Sequence, residues 1–189
     1  MNVKAAVDGI RSKGRARVVT FLGFSGAGYE DTAEARKTLL AELKNFDPSD
    51  TIVCSGATAD GIGMVYSLAI QNGFRTAGIV SSVARAKGVR FSPECESIFV
   101  VEDDTWGGKR ANGHLSSTSQ ALVSASDVMI GIGGGTIARD ELEEGRKNGK
   151  TVRFCRADMD HARAELSAAK AGGPSPRDFG GAAETLFQD

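Results

Sequence analysis

From Arg17 onward the chain repeats one pattern: a short apolar run, a glycine-rich turn, then a stretch whose apolar residues recur at helical spacing. RVVTFLG (17–23) predicts a strand that runs into FSGAGYED. Across 31–46, DTAEARKTLLAELKNF, the residues Ala35, Leu39, Leu40 and Leu43 share one helical face, and Asp31 is placed to cap the first turn. DPSD breaks this helix. TIVCSG (51–56) predicts a second strand, ATADGIG a second glycine loop, and MVYSLAIQNG (64–73) a helix closed by Asn72-Gly73. RTAGIVSS (75–82) and SIFVVED (97–103) predict two further strands. Between them and LSSTSQALVSAS (115–126), which predicts a helix, DTWGGKRANGH (104–114) reads as an exposed loop.

The last third repeats the unit. Asp127 leads into the strand VMIGI, GIGGGT forms a third glycine loop, TIARDELEEGRKNG a charged helix, and TVRFC another strand. A short helix, a Gly/Pro break and a terminal helix follow. The alternation predicts a single domain over 1–189, a three-layer α/β sandwich with a mainly parallel sheet. Its core spans about 17–156 and a C-terminal helical segment spans 157–189.

Ligands of such sheets sit at the carboxyl ends of the strands. Three strands end there in glycine loops, which let backbone N–H groups approach an anion. Glycine is also the one unusual count, 24 of 189 residues, and clusters in these loops. The candidate ligand-binding residues are therefore Ser25, Gly26 and Gly28 in the first loop and Gly56, Asp60 and Gly61 in the second. Gly133, Gly134, Gly135 and Thr136 supply the third, and Arg110 can reach a phosphate from the 104–114 loop. Thr136 opens a helix whose free N–H groups and dipole favour an anion. Trp106 is placed to stack on a base, and Asp60 to hold a ribose hydroxyl. Asp140 and Glu141, in the first turns of the same helix, are the carboxylates near enough for acid–base work.

Charge and composition narrow the class further. A formal charge of −1 supplies no basic face for nucleic acid. No secretory stretch or membrane-length run is present, which predicts a cytoplasmic protein. Cys54, Cys95 and Cys155 have no metal or CxxC spacing, so no metal site is expected. GRKNGKT fails as a P-loop, because Glu144 stands where its first glycine belongs and the fragment runs from helix to strand. A nicotinamide-dinucleotide reading of GIGGGT with Asp158 meets Thr136 in place of the third glycine. Ser25 lacks a histidine partner, and His114 and His161 stand alone. The apolar helix faces point to a homo-oligomer, most simply a dimer.

Two stretches, SGATADGIGMVYSLAIQNGFRTAGIV and ASDVMIGIGGGTIARDELEEGRKNGKTVRF, resemble the LONELY GUY family, cytokinin-activating phosphoribohydrolases often labelled lysine decarboxylase-like. The resemblance implies a Rossmann-like fold and a phosphate on Gly133–Thr136. The second stretch is similar to the family signature PGGxGTxxE. Gly133 and Gly135-Thr136 match it, Gly131 and Ile132 replace Pro-Gly, and Arg139 occupies the glutamate position. Related branches lacking that glutamate include a proposed molybdenum-cofactor carrier and sensors of NAD-derived signals. The expected function is binding of a nucleotide or nucleotide-derived phosphate ligand, as carrier or sensor. The alternative is hydrolysis of the N-glycosidic bond of a nucleoside 5′-monophosphate, on Asp140 or Glu141.

Overall fold

β1 (Arg17–Gly23) starts the central sheet, because its β-branched and aromatic residues pack on both faces at once. In the computed structural model, which describes residues 1–188, β1 is flanked by β2 (Thr51–Ser55) and β5 (Val128–Ile132). β3 (Arg75–Ser81) and β4 (Ser97–Val101) extend the sheet beyond β2, and β6 (Thr151–Cys155) closes the other edge. The order is β4-β3-β2-β1-β5-β6, and every pairing is parallel, so the sheet is wholly rather than mainly parallel. The chain builds outward from β1 in one direction and returns to its other side at β5. This reversal opens a crevice at the carboxyl ends of β1 and β5.

Side-chain alternation assigns the two faces. Val19, Phe21, Val53 and Ile130 point to the face covered by α2 (Thr32–Leu43), α3 (Met64–Gln71) and α4 (Ser82–Ala86). Val18, Leu22, Ile52 and Met129 point to the face covered by α1 (Val3–Arg11), α5 (Ser117–Ala125) and α6 (Thr136–Lys147). Thr20 also faces this second layer, fully buried, and its hydroxyl is satisfied by Ser126 Oγ at 2.6 Å. The architecture is a Rossmann-like α/β sandwich, with helices on both faces of one parallel sheet.

α1 and α4 have no counterpart in the sequence pattern. α1 buries only Ala6 and Ile10, and it is fastened from outside: both Arg11 guanidinium nitrogens donate to Asp127 at 2.8 Å. Asp127 also accepts the Val18 N–H at 2.8 Å, so one carboxylate joins α1, β1 and the start of β5. α4 begins at Ser82, inside the stretch predicted as strand, because Ser81 caps it through its hydroxyl and the Val83 N–H. In the C-terminal segment α7 (His161–Lys170) is followed by a 3-10 turn at Ala182–Leu186 that packs on α6; Asp189 lies outside the described residues. No helix among the described residues is long and apolar enough to cross a membrane.

Candidate functional site

The crevice widens into a cavity of about 490 Å³ above the carboxyl ends of β1, β2 and β3, closed on one side by the start of α6. Its floor is apolar, with Leu22, Ile79 and Leu122 among the lining residues. Its mouth carries Trp106, Val89 and Ile137, respectively 53%, 40% and 39% exposed. Large apolar side chains held half in water around one opening are the usual mark of a ligand site.

Of the candidate residues, Ser25, Gly56, Gly135, Thr136 and Glu141 line this cavity. The others sit behind or beside it. Gly26 is open to solvent, and its carbonyl accepts from the Arg163 guanidinium at 3.2 Å. Gly28 packs against the same guanidinium, and Asp60 is exposed outside the wall. Gly61 lies against the Phe24 and Ser25 carbonyls, where Ile62 N–H donates to Phe24 O at 2.7 Å and ties the first two loops together. Arg110 pairs with Asp103 at 3.1 Å and Asp104 at 2.6 Å, in the 104–114 loop.

The third loop divides its labour. Gly133 is buried, and a side chain there would meet Ala157 O at 2.5 Å. Gly134 has φ +129°, its carbonyl accepts from Ala183 N–H at 2.9 Å, and an added Cβ would lie 2.7 Å from Ala138 Cβ. These two glycines shape the turn. Gly135 alone has open space where a Cβ would be, and it caps α6 with no side-chain hydrogen bond. Asn2, Asp31, Ser81, Ser116 and Asp160 cap α1, α2, α4, α5 and α7 through their side chains. The first N–H groups of α6 have no intrahelical acceptor, and Gly135 to Ala138 line the cavity wall.

Asp140 and Glu141 are adjacent in sequence and perform different tasks. Asp140 accepts the Lys109 N–H at 2.9 Å and the Arg139 guanidinium at 2.8 and 3.1 Å, so it anchors the 104–114 loop outside the cavity. Arg139 is thereby turned away from the ligand space. Glu141 faces the cavity and is 5% exposed, and its Oε1 accepts the Ser119 hydroxyl at 2.5 Å. Burial pushes the Glu141 carboxyl up to about 7; the Ser119 bond pulls it down and the neighbouring Asp140 pushes it further up.

Three features of this site have no sequence signal. The Tyr66 hydroxyl, fully buried, accepts the Ala57 N–H at 3.0 Å and donates to Ala77 O at 3.2 Å. It thereby pins Ala57, the one non-glycine residue with positive φ (56°) among the described residues, in the loop after β2. Ser119 joins α5 to both the Trp106 loop and Glu141, accepting the Gly108 N–H at 2.7 Å. Asp103 holds the base of that loop, accepting from Thr118 N at 2.8 Å and Thr105 N at 3.0 Å. Burial works against its ionisation, yet the bonds from Thr118 and Thr105 outweigh it and keep the carboxyl at about 2.

The sequence matches no protein-family model and no curated protein. Solved structures share the fold. The molybdenum cofactor binding protein of the phototrophic bacterium Rippkaea orientalis is 18% identical with a TM-score of 0.55, covering 84% of this chain and 86% of that one. The Moco carrier protein of Chlamydomonas reinhardtii is 18% identical over the same shares, with a TM-score of 0.51. TM1055, a structural-genomics target, is 21% identical with a TM-score of 0.53 and covers 72% of each chain. At these identities the likeness is one of fold.

Proposed function

We propose that this chain binds a nucleotide or nucleotide-derived phosphate ligand in the cavity at the β1–β5 crevice, and holds it as a carrier or sensor. The observation that carries this reading is the chemistry of the cavity wall. It offers the uncapped N-terminus of α6 at Gly135-Thr136 for an anion and apolar surface for the rest of the ligand. A carrier role is supported by Arg139, which replaces the signature glutamate and is bound to Asp140 outside the cavity. It also agrees with a fold shared with one protein described as a molybdenum cofactor carrier and another described as a molybdenum cofactor binding protein.

A second reading, cleavage of the N-glycosidic bond of a nucleoside 5′-monophosphate, is favoured by one observation: Glu141 places a buried carboxyl in the cavity wall. One experiment separates the two. The protein is screened by thermal shift against adenosine 5′-monophosphate and ADP-ribose, and bound ligand is then recovered and analysed. Intact ligand supports the carrier; free base and ribose 5-phosphate support the hydrolase; no stabilisation by either refutes both.

The phosphate position has its own test in Gly135→Asp. Gly135 has φ −84° and ψ −161°, which any residue adopts, and aspartate is a better helix cap than glycine by a few tenths of a kcal/mol. The variant should fold as well as the parent or slightly better, while its carboxylate takes the N–H groups meant for the ligand. Nucleotide affinity should fall roughly tenfold or more. Unchanged affinity would move the phosphate elsewhere.

A further inference from the structure

Among the described residues, Glu141 is the only ionisable side chain in the cavity wall, and no cation faces it. From its own helix the neighbouring charge is Asp140, which is turned to Lys109 and Arg139. From β2 the neighbour is the Cys54 thiol, which burial raises to about 12 and keeps neutral. α5 presents only the Ser119 hydroxyl. In the 103–110 strap the charged groups are already paired: Asp103 and Asp104 with Arg110, and Lys109 with Glu143. An ionised carboxylate in such a place has no counter-charge to offset its lost hydration.

The hydrogen bonds then decide where the carboxyl proton sits. Ser119 Oγ accepts the Gly108 N–H and, with no other acceptor in reach among the described residues, gives its single proton to Glu141 Oε1. Oε1 is therefore an acceptor. Oε2 has no partner among the described residues, and it is not among the sealed side-chain atoms that lack one, so it meets open space in the wall that Glu141 lines. The proton of the neutral acid belongs on Oε2, aimed into the cavity.

Resting on the ligand site proposed above, we infer that Glu141 acts as a neutral hydrogen-bond donor to the buried part of the ligand, selecting an uncharged acceptor such as a carbonyl oxygen or an unprotonated ring nitrogen. The Glu141–Ser119–Gly108 chain joins this donor to the strap that carries Trp106. Loss of the proton on Glu141 both removes the donor and changes the charge at the foot of that strap. Ligand binding is thus linked to one proton: affinity is constant while the acid is neutral, falls by up to about tenfold per pH unit as it ionises, and levels off at the affinity of the ionised form.

The test uses the full chain. The side-chain carboxyl ¹³C shifts of glutamate and the emission of Trp106, the single tryptophan, are followed across neutral pH. One glutamate should titrate near 7, and Trp106 emission should move with the same midpoint. Glu141→Gln should abolish both transitions. Ser119→Ala should raise the carboxyl midpoint, because the Ser119 bond stabilises the charged form, and should disconnect Trp106 from it. This second variant keeps the test open if the first folds poorly. ADP-ribose, whose diphosphate stays ionised throughout, is the binding probe. Affinity that declines above the Glu141 midpoint supports the assignment. An ordinary acidic midpoint for every glutamate, a Trp106 transition that survives Glu141→Gln, or pH-independent ADP-ribose binding overturns it. Failure of ADP-ribose to bind at any pH counts against the ligand site itself, and the two titrations still decide the state of Glu141.

Discussion

Replacing Glu141 by Gln removes the carboxyl whose ionisation the fold opposes, while keeping its shape and the oxygen that accepts from Ser119. Its rise from 4.5 to about 7 corresponds to about 3 kcal/mol, at roughly 1.4 kcal/mol for each tenfold change in proton affinity. The sign follows from which state holds the proton. Between those two values the native protein keeps a proton that the unfolded chain has released. Stability from this group is therefore full below the unfolded value and is lost as pH rises through the folded one. The glutamine variant has no such loss. The stability of the variant minus that of the wild type should climb by about 3 kcal/mol across this window, then stay level above it. In thermal unfolding the same difference is roughly 6–12 °C for a domain of this size. Urea unfolding of both proteins, from about pH 4 to about pH 8.5, measures the curve directly. A difference that stays flat across the window would refute the argument that burial without a counter-charge governs this residue. Parallel loss of stability at every pH would instead reveal a packing defect.

Two further outcomes follow from buried groups near the cavity. Tyr66→Phe strips the hydroxyl shared by Ala57 N–H and Ala77 O, leaving buried backbone groups without that partner; it should cost about 2 kcal/mol and, read by amide exchange, free the Ala57 loop. If the Ala57 amide stays as protected as before, Tyr66 is not what pins the loop. Asp103→Ala should cost about 2 kcal/mol near neutral pH. In the wild type that contribution should disappear as pH falls from the ordinary carboxylate range toward about 2, because the folded state favours the charged form. An acid-unfolding curve identical in the variant and the parent would contradict it.

Much of the frame is legible along the chain because its causes are local. The residues of β1 through β6 are β-branched or apolar in short runs, α2 shows its buried face in Ala35, Leu39 and Leu43, and Asp31 does cap it. Each glycine loop follows a strand, so its place at the carboxyl edge of a parallel sheet is implied once the sheet is. α1 was not legible for the opposite reason. It buries two residues of its own, and its anchor, Asp127, lies 116 positions from Arg11.

The site shows the same boundary at finer scale. Sequence places Asp140 and Glu141 together near the phosphate loop, and Gly133 to Gly135 as equivalent members of it. One step along a helix turns a side chain by about 100°, so only the packing of α6 against α5 and the strap decides that Asp140 faces Lys109 while Glu141 faces the cavity. Only the neighbours of each glycine, Ala157, Ala138 and open space, separate two turn-forming positions from the one that opens onto the cavity. Spacing and residue type determine the fold and the edge where a ligand can sit, because they act over a few residues. Which atoms reach that ligand, and in what charge state, belongs to tertiary structure, because orientation and desolvation depend on residues brought together from across the chain.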